Sequence, residues 1–347
     1  MLKGRGAQYN PANPFLKQEI SQTHFEGIDE DTTSENPDVQ LFYETVKNPL
    51  SKNDSPDLKL GYSINPYQGC EHGCIYCYAR NSHTYWGFSV GLDFESKIIV
   101  KKDIAEQLER RFLAQGWKSQ AIMLSGNTDC YQPVEKKLKL TRKILEVALK
   151  FRNPISIITK NALVTRDLDI LKELAHYNLV HVYFSINTLD ESLRRYLEAR
   201  TASHQKKLDA IAELSTGGIP VGIMNAPVIP GLNHHEIPEI LKRTSEAGAL
   251  NAGYTVVRLN GQVASLFKDW LIKTFPDRAH KVLHQIEAMH NGQLNDSEWG
   301  RRLTGEGNYA DMIAQLFKTA KKKYFSDKEM PPLNTGIFRR GGNYQLF

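Results

Sequence analysis

The chain has 347 residues, of which 41% are hydrophobic and 24% are charged, and this balance is typical of a soluble globular protein. No run approaches the roughly 18 consecutive apolar residues of a membrane helix, and the N-terminus lacks the apolar core of a signal peptide. We therefore expect a cytoplasmic protein without membrane contact, whose four cysteines bind metal more readily than they form disulfides. The formal net charge of +5 permits an anionic partner without requiring one.

Residues 1–60 hold few periodic apolar segments, and the acidic stretch EGIDEDTTSENPD (26–38) is typical of a loop or a partly disordered segment. From residue 61 onward, short apolar runs alternate with segments of helical periodicity. The predicted strands are 61–67, 121–126, 155–159, 180–186, 220–228 and 252–259. The predicted helices between them are 103–114, 135–151, 166–177, 204–215 and 235–247. This alternation predicts a parallel α/β fold, and six units fit an open or partial barrel better than a complete barrel of eight.

Beyond residue 260 the pattern becomes helical. The segment 264–292 predicts two helices broken near Pro276, and 308–325 predicts another, whereas PPLNTGIFRRGGNYQLF has the composition of a tail. We expect four regions, which are an N-terminal extension (1–60), an α/β barrel (61–260), a helical region (261–330) and a tail (331–347).

The most unusual segments of the chain follow predicted strands. They are NPYQGCEHGCIYC, NTDCYQPVE, TKNALVTRD, NTLDES and APVIPGLN. Because functional groups of parallel α/β folds lie on loops at the carboxyl ends of the strands, we expect these segments at one edge of the sheet.

Three cysteines, Cys70, Cys74 and Cys77, lie within NPYQGCEHGCIYCYAR at the spacing C-x3-C-x2-C. A structural zinc site takes four ligands, and a Cys3His site completed by His72 or His83 is one interpretation. The other is a [4Fe–4S] cluster held by three thiolates, which leaves one iron without a protein ligand. S-adenosylmethionine (SAM) can occupy that iron, and an electron from the cluster then splits the sulfonium to give a 5′-deoxyadenosyl radical.

The cysteine spacing, with Tyr76 directly before the third cysteine, resembles the signature of the radical SAM superfamily. Together with NTDCYQPVE, LEART and APVIPGLN, it resembles the spore photoproduct lyase-like group, often labelled DNA repair photolyases, over about residues 61–260. RGAQYNPANPF and SLFKDWL…PDRAHKVL are similar to a bacterial branch of that group with no settled substrate. The resemblance implies a partial (β/α)6 radical SAM barrel with an N-terminal extension and a C-terminal helical region. It also implies one [4Fe–4S] cluster and bound SAM, with these cluster ligands: Cys70, Cys74 and Cys77.

The same resemblance implies which residues contact SAM. Tyr76 would pack near the adenine, and Asp129, with Asn127 in support, would bind the methionine amino group. Lys160 and Arg200 are candidates for pairing with the SAM carboxylate. The remaining candidates are Ser185 and Asn187 for the ribose hydroxyls, and the backbone groups of Ala226 and Val228 for the adenine edge.

Each candidate also has an ordinary structural interpretation. Tyr76 could be a core aromatic, Asn127 a turn residue and Lys160 a solvated lysine at a strand end. Ser185 and Asn187, at the end of the fourth strand, could cap the next helix. Glu198 could simply hold Arg200 in place.

Cys130 departs from the branch that the chain resembles, where this position is usually proline. The lyase that gives the group its name uses a nearby cysteine as hydrogen-atom donor, but that cysteine precedes its Ser-Asp pair, so the role does not transfer. Three interpretations of Cys130 stay open, which are an inert small residue, a radical-quenching hydrogen donor and an occasional fourth ligand.

Support for a nucleic-acid substrate is limited to basic and aromatic residues. KTAKKKYF and FRRGG are basic, although a solvated helix face has the same composition. Tyr85 and Trp86 after the cysteine loop could stack bases or belong to the core. The ending NYQLF loosely resembles the short Leu-Phe peptides by which repair proteins bind bacterial sliding clamps. The basic residues concerned are Lys318, Lys321, Lys322, Lys323, Arg339 and Arg340.

Three hypotheses follow. The chain is a radical SAM enzyme acting on DNA or RNA, a radical SAM enzyme acting on a protein or small metabolite, or a non-catalytic zinc or iron–sulfur protein. Radical SAM chemistry implies a reductant such as a flavodoxin or ferredoxin. The sequence indicates neither an oligomeric state nor a second cluster.

Overall fold

The computed structural model describes residues 2–15, 38–58 and 60–341. Apart from Asp38, the acidic stretch predicted as a loop lies outside the described residues, and so does the NYQLF ending.

The strands are β1 (Gln40–Glu44), β2 (Leu50–Lys52), β3 (Tyr62–Ile64), β4 (Tyr67–Gln68), β5 (Lys97–Lys101), β6 (Ile122–Leu124), β7 (Ile155–Thr159), β8 (Val180–Ser185), β9 (Val221–Val228) and β10 (Asn251–Val256). The α-helices are α1 (Leu92–Ser96), α2 (Ile104–Leu113), α3 (Glu135–Leu138), α4 (Leu140–Phe151), α5 (Leu168–His176), α6 (Glu191–Leu197), α7 (His204–Thr216), α8 (Ile237–Glu246), α9 (Val263–Thr274), α10 (Pro276–Met289) and α11 (Asn308–Phe325). Short 3-10 helices span Tyr78–Trp86, Ala162–Asp167 and His234–Glu236.

The main sheet contains six parallel strands in the order β10-β9-β8-β7-β6-β3, and β2 pairs antiparallel with β3 at the edge. All six predicted strands are confirmed, and helices connect each strand to the next. Strands such as β7, with Ile155 and Ile157 fully inside the core, read as short apolar runs because both faces of a parallel sheet are covered. Among the described residues the sheet does not close on itself, so the fold is the expected partial (β/α)6 barrel.

One predicted helix is interrupted. The span 135–151 contains α3 and α4, which are separated at Lys139, a residue with a φ of 54°. Glu135 explains the break, because its buried carboxylate accepts the backbone N–H of Thr141 at 3.1 Å, which a continuous helix would pair with a carbonyl. The other four predicted helices of the barrel are confirmed as α2, α5, α7 and α8.

A second sheet, with the strand order β1-β5-β4, is absent from the sequence-based expectation. β1 lies in the N-terminal extension predicted to be partly irregular, and its side chains are mostly exposed, so QLFYE carries no buried alternation. β5 supplies the buried side of this sheet through Ile98, Ile99 and Val100. The N-terminal extension therefore contains one strand that the sequence did not predict. The short helices α1 and α6 were missed as well.

Segments attached to the two edge strands of the main sheet meet each other. Asp57, between β2 and β3, accepts hydrogen bonds from Arg302 Nε at 2.5 Å and from the Gly300 N–H at 2.8 Å. The neighbouring Leu303 carbonyl accepts the Val256 N–H of β10 at 2.9 Å. These contacts join the β2 side to the β10 side across the open flank of the barrel.

The described part of the predicted tail, residues 331–341, is irregular as expected but is held in place. Phe338 packs on Phe112 and Phe151 with ring centroids 5.9 and 6.3 Å apart. Arg340 Nη2 donates to the Trp117 carbonyl at 3.0 Å, and the Arg339 N–H donates to the Phe151 carbonyl at 2.8 Å. In the described ranges, no helix has the length and apolar character needed to span a membrane.

Candidate functional site

The carboxyl ends of the parallel strands meet at one edge of the sheet, and the chemically unusual segments follow them there. Lys160 directly follows β7, and its Nζ donates to Ser185 Oγ, at the end of β8, at 2.5 Å. The Lys160 N–H donates to Asp129 Oδ2, on the loop after β6, at 2.7 Å. The structure thus brings three of the predicted loops together.

The cysteine loop follows β3 and β4. Cys70, Cys74 and Cys77 are free thiols, the first two buried at 7% exposure and the third half-buried. The loop turns at Gly73, whose φ is 67° and where a Cβ would come within 2.9 Å of the Glu95 carboxylate, so only glycine fits. Burial raises the pKa of all three thiols.

The LEART segment fixes this loop through its backbone. The Ile75 N–H donates to the Leu197 carbonyl at 3.1 Å, and Cys74 and Glu198 face each other in an antiparallel bridge. These contacts place Glu198, which sequence reasoning treated as a support for its neighbour, directly beside a predicted cluster ligand.

Arg200, the other residue of interest in LEART, points elsewhere. Its N–H donates to the His72 carbonyl at 3.0 Å, but its Nε donates to the Gly4 carbonyl at 2.9 Å. The guanidinium therefore contacts the N-terminal segment, and a role in SAM carboxylate pairing gains no support from this geometry.

The Glu198 carboxylate lies at the centre of a buried polar cluster. It accepts a hydrogen bond from the Tyr76 hydroxyl and lies 3.2 Å from Lys160 Nζ and 3.3 Å from Lys207 Nζ. Burial alone would raise the pKa of Glu198, but the two lysines outweigh it and hold the pKa at about 2. Glu198 is therefore an anion at neutral pH, paired with two cations.

Lys160 connects this carboxylate to the strand ends. Its Nζ lies 3.4 Å from the Ala226 carbonyl and 5.8 Å from the centroid of the Tyr76 ring. Burial would lower the pKa of Lys160, but the negative charge of Glu198 helps to raise it above its usual value. The ammonium therefore stays charged. Asn187 Nδ2 donates to the Tyr76 hydroxyl at 3.4 Å. Five predicted SAM contacts therefore gather here, namely Tyr76, Lys160, Ser185, Asn187 and Ala226.

Asp129, the candidate for the methionine amino group, is already engaged. Oδ1 accepts from Thr159 Oγ1 and from the Tyr131 N–H, both at 2.8 Å. Oδ2 accepts from the Lys160 N–H, and His72 Nδ1 lies 3.4 Å from it. Burial would raise the pKa of Asp129, but His72 and the backbone donors together lower it. The carboxylate thus ties β7 to the loop after β6.

Two other candidates are committed to structural contacts. Asn127 donates its N–H to Asn65 Oδ1 at 2.8 Å and its Nδ2 to Gln68 Oε1 at 2.7 Å. Val228 is buried, and its carbonyl accepts the Val257 N–H at 2.9 Å. For both residues the proposed SAM contacts stay predictions.

Cys130 belongs to a different apolar cluster from the other three cysteines. It is fully buried in the barrel core, whereas Cys74 belongs to a different apolar cluster. Its N–H donates to Ser125 Oγ at 2.9 Å, and its carbonyl accepts from Thr141 Oγ1 at 2.6 Å. Burial, assisted by the charge of Asp129, raises the pKa of this thiol well above its usual value. These observations favour the interpretation as an inert small residue.

Sequence reasoning missed Lys207. It is buried on the core side of α7 together with Ile211 and Leu214, and its Nζ donates to the Ser185 carbonyl at 3.2 Å. A lysine in register with an apolar stripe is a readable signal, because a buried ammonium requires a partner anion. Here that partner is Glu198.

Among the described side chains, no group of three His, Cys, Asp or Glu residues is placed to hold a single metal ion. A [4Fe–4S] cluster makes a different demand, because each thiolate binds its own iron. The donor set fits that demand chemically, since three free thiols share one largely buried loop and iron–sulfur clusters take thiolate ligands.

Comparison with known proteins identifies the class. A family model described as the radical SAM superfamily matches residues 64–244, more than half of the chain. The chain belongs to the radical SAM superfamily, a class of enzymes. Membership supports SAM-dependent radical chemistry and implies a [4Fe–4S] cluster and SAM as cofactors.

Two relatives of known sequence resemble this chain over part of their length. An uncharacterized protein of Mycobacterium tuberculosis is 32% identical over 222 residues, which are 63% of this chain and 65% of that protein. The chain thus covers less than two thirds of that relative's length. The radical SAM Nα-GlyT isomerase of Pseudomonas phage M6 is 29% identical over 185 residues, which are 53% of this chain and 36% of that protein.

The solved structure of a spore photoproduct lyase variant has the same fold, with a TM-score of 0.61 and 17% identity over 82% of this chain and 79% of that chain. Another structure of that lyase contains bound AdoMet and a dinucleoside spore photoproduct.

We predict that Lys207→Met lowers the free energy of unfolding by about 3 kcal/mol, because it leaves a buried carboxylate with one cation instead of two. Urea denaturation of the cluster-free protein measures this change. Lys206→Met is the matched control, since Lys206 is exposed on the same helix. The double variant Lys207→Met/Glu198→Gln should lose less stability than the two single variants together. Equal stability of the Lys206 and Lys207 variants would contradict the role given to Glu198.

Proposed function

We propose that this chain is a radical SAM enzyme that binds one [4Fe–4S] cluster through Cys70, Cys74 and Cys77 and binds SAM beside it. The observation that carries the proposal is the backbone bridge between Cys74 and Glu198, because it sets the cysteine loop against the buried polar cluster at the strand ends. With both groups bound, the cluster would pass one electron from a reductant such as a flavodoxin or ferredoxin to SAM, giving methionine and a 5′-deoxyadenosyl radical that would abstract hydrogen from the substrate or add to it.

The residues around Glu198 then bind SAM. Lys160 supplies the cation that pairs with the carboxylate of SAM. Glu198 keeps the Lys160 ammonium charged and in place. Ser185, bonded to Lys160, offers its hydroxyl to the ribose, and Asn187, bonded to the Tyr76 hydroxyl, offers its amide. Backbone groups at the end of β9 meet the adenine edge.

Asp129 has two roles in this proposal. It orients Lys160 by accepting its N–H, and it remains the candidate for the methionine amino group. The His72 contact, at 3.4 Å, is the longest of its polar contacts, so an incoming ammonium would replace that contact first.

We expect the protein, reconstituted anaerobically with iron and sulfide and reduced with dithionite, to convert SAM to 5′-deoxyadenosine. Cys74→Ala should abolish the product, because two thiolates do not hold the cluster. Cys130→Ala is the matched cysteine control and should retain the product, since Cys130 lies in the barrel core. Chromatography of the quenched mixture measures the product. Full cleavage by Cys74→Ala would sink the ligand assignment, and a wild-type chain that takes up one tightly bound zinc instead would favour the non-catalytic alternative.

For the substrate we propose DNA or RNA carrying a modified or damaged base. Tyr85 and Trp86, exposed by 78% and 39%, lie on the 3-10 helix that begins directly after Cys77. Phe15 stacks on Tyr85 with ring centroids 5.3 Å apart. Exposed aromatic rings on the helix that follows the cysteine loop are suited to stacking on bases. The dinucleoside bound by the spore photoproduct lyase structure makes nucleic acid the class to test first.

The lysines of α11 take no part in this proposal. Lys321 Nζ donates to the Ala252 carbonyl at 2.7 Å, where β10 begins, so this lysine lies at the amino end of the strand rather than at the site. The Arg340 guanidinium is likewise held by the Trp117 carbonyl, and the Arg339 backbone N–H donates to the Phe151 carbonyl. A protein or small-metabolite substrate is the alternative that fits the same SAM site.

We predict that Tyr85→Ala/Trp86→Ala weakens binding of a single-stranded oligonucleotide of about 12 nucleotides at least tenfold, because a stacked base contributes about 1–3 kcal/mol. Fluorescence anisotropy at fixed salt measures the affinity. Lys322→Ala/Lys323→Ala is the comparison and should change affinity much less. Loss of binding only in the lysine variant would show that Tyr85 and Trp86 are not the contact surface. Absence of binding by the wild type would favour a protein or metabolite substrate.

A further inference from the structure

Residues 4–13, here called the N-terminal strap, cross the outside of the cysteine loop. Gly6 lies so close to the loop that a Cβ there would overlap the Gly73 carbonyl. Gly73 lies between Cys70 and Cys74 in the chain. Ala7 is fully buried and belongs to the same apolar cluster as Cys74. The strap is therefore part of the wall behind the thiols.

Glu95 fastens the strap to this wall. The carboxylate is fully buried, and it accepts the Gly6 N–H at 3.1 Å and the Ala7 N–H at 2.8 Å. Arg80 Nη2 donates to the same carboxylate at 2.5 Å, and Arg80 Nε donates to the Cys74 carbonyl at 2.9 Å. A buried carboxylate that lost two N–H donors would keep its desolvation penalty with only the Arg80 ion pair to offset it. Glu95 thus couples the seating of the strap to the backbone position of Cys74.

The outer half of the strap is held in the same way. Asn10 and Asp93 exchange two hydrogen bonds, at 3.0 and 2.9 Å. Ser89 Oγ donates to the Pro11 carbonyl at 2.7 Å, and Asn13 Nδ2 donates to the Thr84 carbonyl at 3.0 Å. The strap therefore extends from the cysteine loop to the 3-10 helix that follows it.

We propose that the strap positions the cysteine loop and closes its outer side against solvent and small oxidants, with Gly6 and Glu95 as positioning residues. This inference rests on the proposed cluster ligation, but it makes a separate statement about thiol access. Thiols and iron–sulfur clusters are oxidised by molecules that can reach them, so displacement of the strap should expose both.

The first test uses the full-length chain without its cluster. Gly6→Val should force the strap off the loop, and iodoacetamide should then alkylate Cys70 and Cys74 about tenfold faster than in the wild type, as read by mass spectrometry of each cysteine. Cys130 should react at an unchanged rate because it lies in the barrel core. Gly116→Val is the matched control, since no atom lies within 4 Å of a Cβ at that exposed glycine.

Unchanged alkylation of Cys70 and Cys74 in a folded Gly6→Val protein would overturn the proposal. Equal acceleration at Cys130 would overturn it too, because the variant would then loosen the whole barrel. If Gly6→Val does not fold, Asn10→Ala decides the question in the same assay, since it removes the two hydrogen bonds that hold the strap to Asp93 and leaves the Glu95–Arg80 pair unchanged.

The second test uses the reconstituted protein. The visible absorbance of the cluster should decay faster in air for Gly6→Val than for wild type and Gly116→Val, at equal initial iron content. Equal decay rates would contradict the shielding role. A wild-type chain that binds no cluster would refute the proposed function, whereas the alkylation test would still decide the role of the strap.

Discussion

The buried carboxylate of Glu198 is the constraint on which the site depends. A carboxylate without solvent is stable only among cations and donors, and Glu198 meets that demand with Tyr76, Lys160 and Lys207 from three different parts of the chain. Glu198 is also bridged to Cys74 through the backbone. Pairing one charge therefore fixes the cysteine loop against β7, β8 and α7 at the same time.

Glu95 imposes a similar constraint on the other side of the cysteine loop. Its carboxylate gathers Arg80 and two N–H groups of the N-terminal strap, and Arg80 in turn holds the Cys74 carbonyl. The loop that bears the thiols is thus held between two buried carboxylates, one facing the strand ends and one facing the strap. Such double support is what a site needs if its ligands are to keep one arrangement while a cofactor binds.

The sequence predicted the six strands and the placement of the unusual loops, because apolar runs and strand–helix alternation are local signals. It did not predict β1 or the strap, whose structure depends on distant partners, such as the bond from Gly6 to a residue 89 positions away. Glu198 was underestimated for the same reason, since its importance comes from Lys207 and Lys160 rather than from its neighbours in LEART. Arg200 shows the converse limit, because a motif does not reveal which distant backbone group its guanidinium contacts, which here is the Gly4 carbonyl, and its pairing with SAM stays a prediction.

The most direct test of the account is electron paramagnetic resonance of the reduced, reconstituted protein with and without SAM. Three protein thiolates leave one iron open, so the account predicts a single [4Fe–4S] signal whose g values shift when SAM is added. A cluster signal that SAM leaves unchanged, or the absence of any cluster signal in a protein that retains zinc, would contradict it.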